Sequence, residues 1–130
     1  MPIDYDIEEE QKLVIARGSG IVVANEILKH MDELAADERY VAPMKKLVDY
    51  SLVEHLRLSE EDAWQIVRKR TELSDRFRDE RTAFISPDDA TFAATRVHES
   101  LMNMTEANTV VVCRTFEDAV RWLGVKLDQT

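Results

Sequence analysis

Apolar and polar residues change rhythm several times along this chain, and each change marks an element. Ile3, Tyr5 and Ile7 alternate with polar residues, the period of a half-buried strand. An acidic turn at residues 8–10 and a second strand at residues 12–18 (KLVIARG) predict a hairpin, broken at Gly18-Ser19-Gly20. Ile27, Leu28, Met31, Leu34 and Ala35 then recur at helical spacing. The start of that helix is poorly signalled, because Val22 and Val23 stand where a cap belongs. Residues 37–43 end it and lead to Leu47-Val48, an apolar run flanked by Lys45, Lys46 and Asp49 that suits a buried strand.

The stretch 44–62 (MKKLVDYSLVEHLRLSEED) organises the rest. Residues 52–58 read as a loop, and loops after strands are where open α/β sheets collect their working residues. Asp49, Ser51 and His55 therefore form a candidate loop site. Ser59 and Asp62 make a variant of the capping box ahead of Ala63, Ile66 and Val67. The helix they open is predicted to run to Phe77, with Arg70 lying along its apolar surface and its head group in water.

Residues 81–85 (RTAFI) predict a strand, and Ser86-Pro87-Asp88-Asp89 a helix start with Ser as cap and Pro at the first helical position. That helix is expected to bury Ala90, Ala93, Ala94, Val97 and Leu101. Residues 109–113 (TVVVC) are the clearest buried strand. Thr115 then caps a last helix with Phe116, Ala119, Val120 and Leu123 inward, and Gly124 suits its end. Strands alternating with helices after a hairpin predict an α/β sandwich with a largely parallel sheet, a single domain over residues 1–130.

Composition narrows the function classes. A net charge of −9 argues against binding nucleic acid or anionic membranes through a basic surface. The lone Cys113 excludes an internal disulfide framework and fits a reducing cytoplasm. No apolar run approaches a membrane span, and MPIDYDIEEE lacks the basic and apolar regions of a signal peptide, so a cytoplasmic location is expected.

The order of elements carries a resemblance. The hairpin and helix, KKLVDYSLVEHLRLSEED, RTAFISPDDATFAATRVHE and the closing VVVCRTFEDAVRWLGV resemble the bacterial SpoIIAA-like family of STAS-type domains over nearly the whole chain. The resemblance implies a mixed, mainly parallel five-stranded sheet with about four helices. Folds of this kind are similar to anti-sigma-factor antagonists and to CRAL-TRIO lipid-transfer domains, which implies binding or regulation over catalysis. The best-known STAS members carry a phosphorylatable serine in Asp-Ser-Ser-Gly at the start of the second helix. Here that motif falls on Leu58-Ser59-Glu60-Glu61, which makes Ser59 the possible switch position. A phosphate there would meet Glu60, Glu61 and Asp62, so a plain helix cap is the simpler reading of Ser59.

Other chemistry is thin. His30, His55 and His98 lack metal-ligand spacing and read as surface or rim histidines. Cys113 paired with His98 as a nucleophile is conceivable, but an inert strand-end cysteine is the usual case. With three glycines there is no phosphate cradle, and no cofactor or metal is implied. Arg68-Lys69-Arg70 reads as a solvated helix face. Trp64, Phe92 and Trp122 each fall beside the apolar stripe of their helix, as residues of an interface, of a pocket or of a neighbouring-helix contact would. The chain is therefore expected to be a non-catalytic regulatory or protein-interaction module working through a partner or homodimer. The alternative is a carrier or sensor of a small apolar, lipid-like ligand.

Overall fold

The computed structural model of the chain describes residues 2–105 and 110–127. Strands β1 (Ile3–Glu8) and β2 (Leu13–Val23) form the antiparallel hairpin. The turn between them is closed by the Glu8 carboxylate, which accepts from the backbone N–H of Glu10 and Gln11 at 3.2 and 2.9 Å. β2 does not break at Gly18-Ser19-Gly20, as its glycines suggest. Two register shifts and a left-handed Gly20 (φ +65°) take up the irregularity, and the strand continues to Val23. Gly18 is needed because a Cβ there would lie 2.8 Å from the Tyr50 ring. Val22 and Val23 are thus strand residues, and helix α1 (Ala24–Ala36) starts with no side-chain cap.

Strand β3 (Lys45–Arg57) is the second departure. The expected loop at 52–58 is extended chain, because Leu52 to Arg57 pair in parallel with Ser19 to Val23 of the lengthened β2. Strand β4 (Arg81–Ile85) pairs with Lys45–Asp49 only, and β5 (Val110–Cys113) pairs with β4. Thr109, expected to open that last strand, lies outside the described residues. The sheet runs β1-β2-β3-β4-β5, parallel except for the first pair.

Helix α2 (Glu60–Glu72) begins in the expected capping box: Ser59 Oγ accepts from Asp62 N–H and Asp62 Oδ2 from Ser59 N–H, both at 3.0 Å. It ends five residues before Phe77, and Arg70 explains the stop. Arg70 is buried, where a head group in water was expected; its Nη2 donates to the Phe77 carbonyl at 2.9 Å, tying the following turn back under the helix. The run 68–70 is accordingly divided, with Arg68 on Glu61 and Lys69 on Asp32 of α1.

Helix α3 (Asp89–Thr105) is capped by Asp88, whose carboxylate accepts from Thr91 N–H at 2.9 Å. Ser86, expected in that role, is fully buried and its hydroxyl bonds Thr95 Oγ1 at 3.1 Å. The helix is also rotated from its expected face. Thr91, Thr95 and Met102 are buried, whereas Ala90 and Ala93 are exposed and Val97 is 49% exposed. The Thr95 hydroxyl, bonded to Ser86 and to the Thr91 carbonyl, is satisfied inside the fold, so its polarity did not keep it out.

Helix α4 (Phe116–Leu123) is capped by Thr115 and closed by left-handed Gly124, as its residues predict. It covers one face of the sheet, where Leu13, Leu47, Ala83 and Ile85 meet Ala119 and Leu123. Helices α1, α2 and α3 cover the other, over Ala16, Val48, Tyr50 and Phe84.

Candidate functional site

The face under α1–α3 is not wholly apolar. Alternation along β3 puts Lys46, Val48 and Tyr50 on this side, and all three are buried. In register, Lys46 stands between Val14 of β2 and Thr82 of β4. Above it α1 brings His30, α2 brings Arg70 and α3 brings His98, and these side chains line a cavity of about 70 Å³. Glu80, just before β4, is the carboxylate on the wall. Its two oxygens accept from Tyr40 Oη at 2.5 Å and from Thr82 Oγ1 at 3.0 Å.

The electrostatics follow from burial. Desolvation pushes the His30 pKa down to about 2, and the Lys46 ammonium adds to the shift. His98 is pushed down to about 4, first by burial, then by Lys46 and Arg70. Lys46 itself is lowered by desolvation, against the pull of Glu80. Both imidazoles are therefore neutral at pH 7. His30 is held edge-on by Tyr5, with ring centroids 5.3 Å apart, and His98 by Phe84 at 5.5 Å. Among the described residues neither ring nitrogen of His30 has a hydrogen-bond partner, nor does His98 Nδ1.

A second feature lies on the outside. The small apolar stripe of α3, turned away from the sheet, meets α2 in an open groove of about 320 Å³ lined by Leu58, Ser59, Ala63, Trp64, Ala94 and Val97. Ser59 is exposed at its edge.

No family model matches the chain, and no curated protein matches it. Solved structures do. An uncharacterised DUF3478-family protein from Shewanella loihica PV-4, with a SpoIIAA-like fold, superposes with a TM-score of 0.59 over 93% of each chain at 20% identity. The anti-sigma factor antagonist SpoIIAA in its unphosphorylated form superposes with a TM-score of 0.53, over 94% of this chain and 97% of its own, at 10% identity. The chain has the SpoIIAA-like fold.

Within the SpoIIAA-like fold the expected site residues separate. Asp49, Ser51 and His55 are on strand β3, not in a loop. Asp49 Oδ1 accepts from Ser51 N–H at 2.9 Å and from its hydroxyl at 2.5 Å, a local contact. His55 is six positions further on and exposed, roughly 20 Å away along extended chain, so the three make no common site. Of the aromatics, Trp64 lines the groove. Phe92 lies under the Arg114 guanidinium at 3.9 Å, and Trp122, on the α4 side, under Arg81 at 4.2 Å. Stacking on arginine accounts for their place beside the stripe. Cys113 and His98 lie on opposite faces of the sheet and form no pair.

Of the three histidines expected at the surface or rim, His30 is buried and His98 is half-buried, and both line the cavity. The sequence carried faint signals of this. His30 sits at the helical spacing of Ile27 and Leu34, and Lys46 shares the two-residue period of Val48 and Tyr50. Among the described residues no cluster of three or more His, Cys, Asp or Glu is placed to hold a metal ion, and no helix is long and apolar enough to cross a membrane.

Proposed function

We propose that the chain is a non-catalytic STAS-type regulatory module that docks a protein partner on the α2–α3 face. The observation that carries this reading is the orientation of α3. Its hydroxyl stripe is spent on the sheet, which leaves Ala94 and the 49% exposed Val97 beside Trp64 in an open groove. An exposed apolar strip next to an aromatic, rimmed by Glu60 and Ser59, has the makeup of a docking surface. Support also comes from fold: an anti-sigma factor antagonist, by its name a protein that acts on another protein's regulator, shares the architecture. Ser59 at the rim is the position through which a charge change would alter such docking.

Site-specific photo-crosslinking tests this in cells that make the protein naturally. A photoreactive side chain at Val97 is expected to give one discrete adduct, absent when the probe is at Glu10 and lost on Trp64→Ala. A homodimer adduct would make the partner a second copy of this chain. A strictly monomeric protein with no adduct at Val97 would overturn the reading.

A further inference from the structure

The interior cavity is unlike the rest of this core in holding a buried ammonium. Lys46 is 8% exposed, and its ammonium forms no hydrogen bond to a described residue. Burying such a charge without a hydrogen-bonded counter-charge is costly, and the one carboxylate on the wall among the described residues, Glu80, already accepts from Tyr40 and Thr82. His30, 7% exposed, and His98 line this space, and among the described residues neither ring nitrogen of His30, nor His98 Nδ1, has a hydrogen-bond partner. A neutral imidazole offers one N–H donor. The unused capacity around the cavity is thus cationic and donating, inside a chain of net charge −9.

Size and wall chemistry narrow the occupant. One water-sized sphere needs about 10–15 Å³ of such space, so about 70 Å³ takes roughly five or six non-hydrogen atoms. That is far below the roughly 300–1,000 Å³ of a drug-sized ligand site, and it removes a lipid tail as occupant. Ile27, Ile66, Phe84 and Tyr50 wall the cavity and continue into an adjoining apolar space of about 30 Å³ that ends at Leu56 and Leu58. An inorganic anion would leave that end unused.

We propose that this cavity binds a small organic carboxylate, its carboxylate facing Lys46, His30 and His98 and its short alkyl end lying against Ile27, Ile66 and Phe84. The anion would accept from the imidazole N–H groups and neutralise the desolvated ammonium, and the second of these a neutral or cationic molecule cannot do. The site is separate from the outer α2–α3 groove and does not depend on a partner docking there.

Histidine ring NMR on the intact protein tests this with sodium butyrate, six non-hydrogen atoms in size, against butylammonium chloride and sodium chloride at matched ionic strength. Butyrate alone is expected to shift the His30 and His98 ring signals saturably while exposed His55 stays still. Lys46→Met, an unbranched apolar side chain one atom shorter, is expected to weaken binding at least tenfold. A size series on the wild type gives a second measurement that requires no variant to fold: acetate and butyrate should bind, and octanoate should not. An equal response to chloride, an undiminished response in folded Lys46→Met, or octanoate binding as tightly as butyrate would each overturn the proposal and leave water as the occupant.

Discussion

Lys46 and Leu47 are neighbours on β3 and point to opposite faces of one sheet. Leu47 enters a layer closed by α4, where it packs with Leu13, Ala83, Ile85, Ala119 and Leu123. Lys46 enters the layer under α1–α3, which holds two imidazoles, a guanidinium, a carboxylate and open space. The contrast separates two tasks that a small sheet must share. The α4 face works by dense apolar contact, so its residues are interchangeable with others of the same volume. On the opposite face, polar groups sit where burial is expensive, which natural cores accept mainly where specificity or binding requires it.

The largest expected effect tests whether both faces belong to one cooperative core. Val48 is 5% exposed and lies between Ala16 and Phe84 in the middle of the sheet. Val48→Asp should cost several kcal/mol against a typical stability of about 5–15 kcal/mol and leave little folded protein. Wild-type thermal melting of this variant would show that the centre of the sheet is not the core.

The neighbouring pair gives the sharpest contrast. Leu47→Ala should destabilise by about 2–5 kcal/mol, as deletion in a closed apolar layer does. Lys46→Met should be neutral or stabilising, by up to about 4 kcal/mol, because an apolar side chain of similar volume removes a desolvated charge. Urea denaturation of both variants checks the signs. Equal losses at the two positions would erase the distinction between the faces.

Acid provides the next test. The folded-state pKa values of His30 and His98 are depressed, to about 2 and about 4, below the unfolded value near 6.5. The unfolded chain therefore binds protons first. Stability from the neutral rings is complete above about pH 6.5 and is lost as pH falls from there towards the folded values, at up to about 1.4 kcal/mol per pH unit for each ring. His30→Leu should flatten the decline between about pH 6.5 and 5, before most carboxylates titrate. An unchanged slope would place His30 in water.

The smallest effect concerns the outer rim, away from both packed layers. Ser59→Ala removes the cap of α2 and should cost about 0.5–2 kcal/mol, whereas Ser59→Asp should be nearly neutral, since Asp caps as well as Ser. If Ser59→Asp abolished the Val97 crosslink with melting unchanged, the serine would act on docking and not on folding alone.

Local signals in the sequence suffice where a single residue's chemistry decides the outcome. The Ser59–Asp62 box, the Thr115 cap and the Gly124 end stand as the sequence indicates, because each is a contact within one turn of backbone. The strand-helix alternation and the mainly parallel sheet follow from periodicity, and they agree with the SpoIIAA-like architecture. Glycine at 18 and 20 misled, since a bulge and a turn call for the same residue and only pairing with β3 tells them apart.

The site was legible only in fragments. Period two along β3 and the 3.6-residue period of α1 already place Lys46 and His30 on inward faces, and these are properties of the chain alone. That the two meet, with Arg70 and His98 closing the same space, was decided by how α1, α2 and α3 lie across the sheet. The rotation of α3 was decided there too. A helix with both an alanine stripe and a threonine stripe can bury either, and Ser86 at the end of β4, bonding Thr95, selects the polar one. Sequence sets which groups a face can offer; long-range packing sets which face is used, because the partner that satisfies a buried hydroxyl or leaves an imidazole unpaired comes from a different strand or helix.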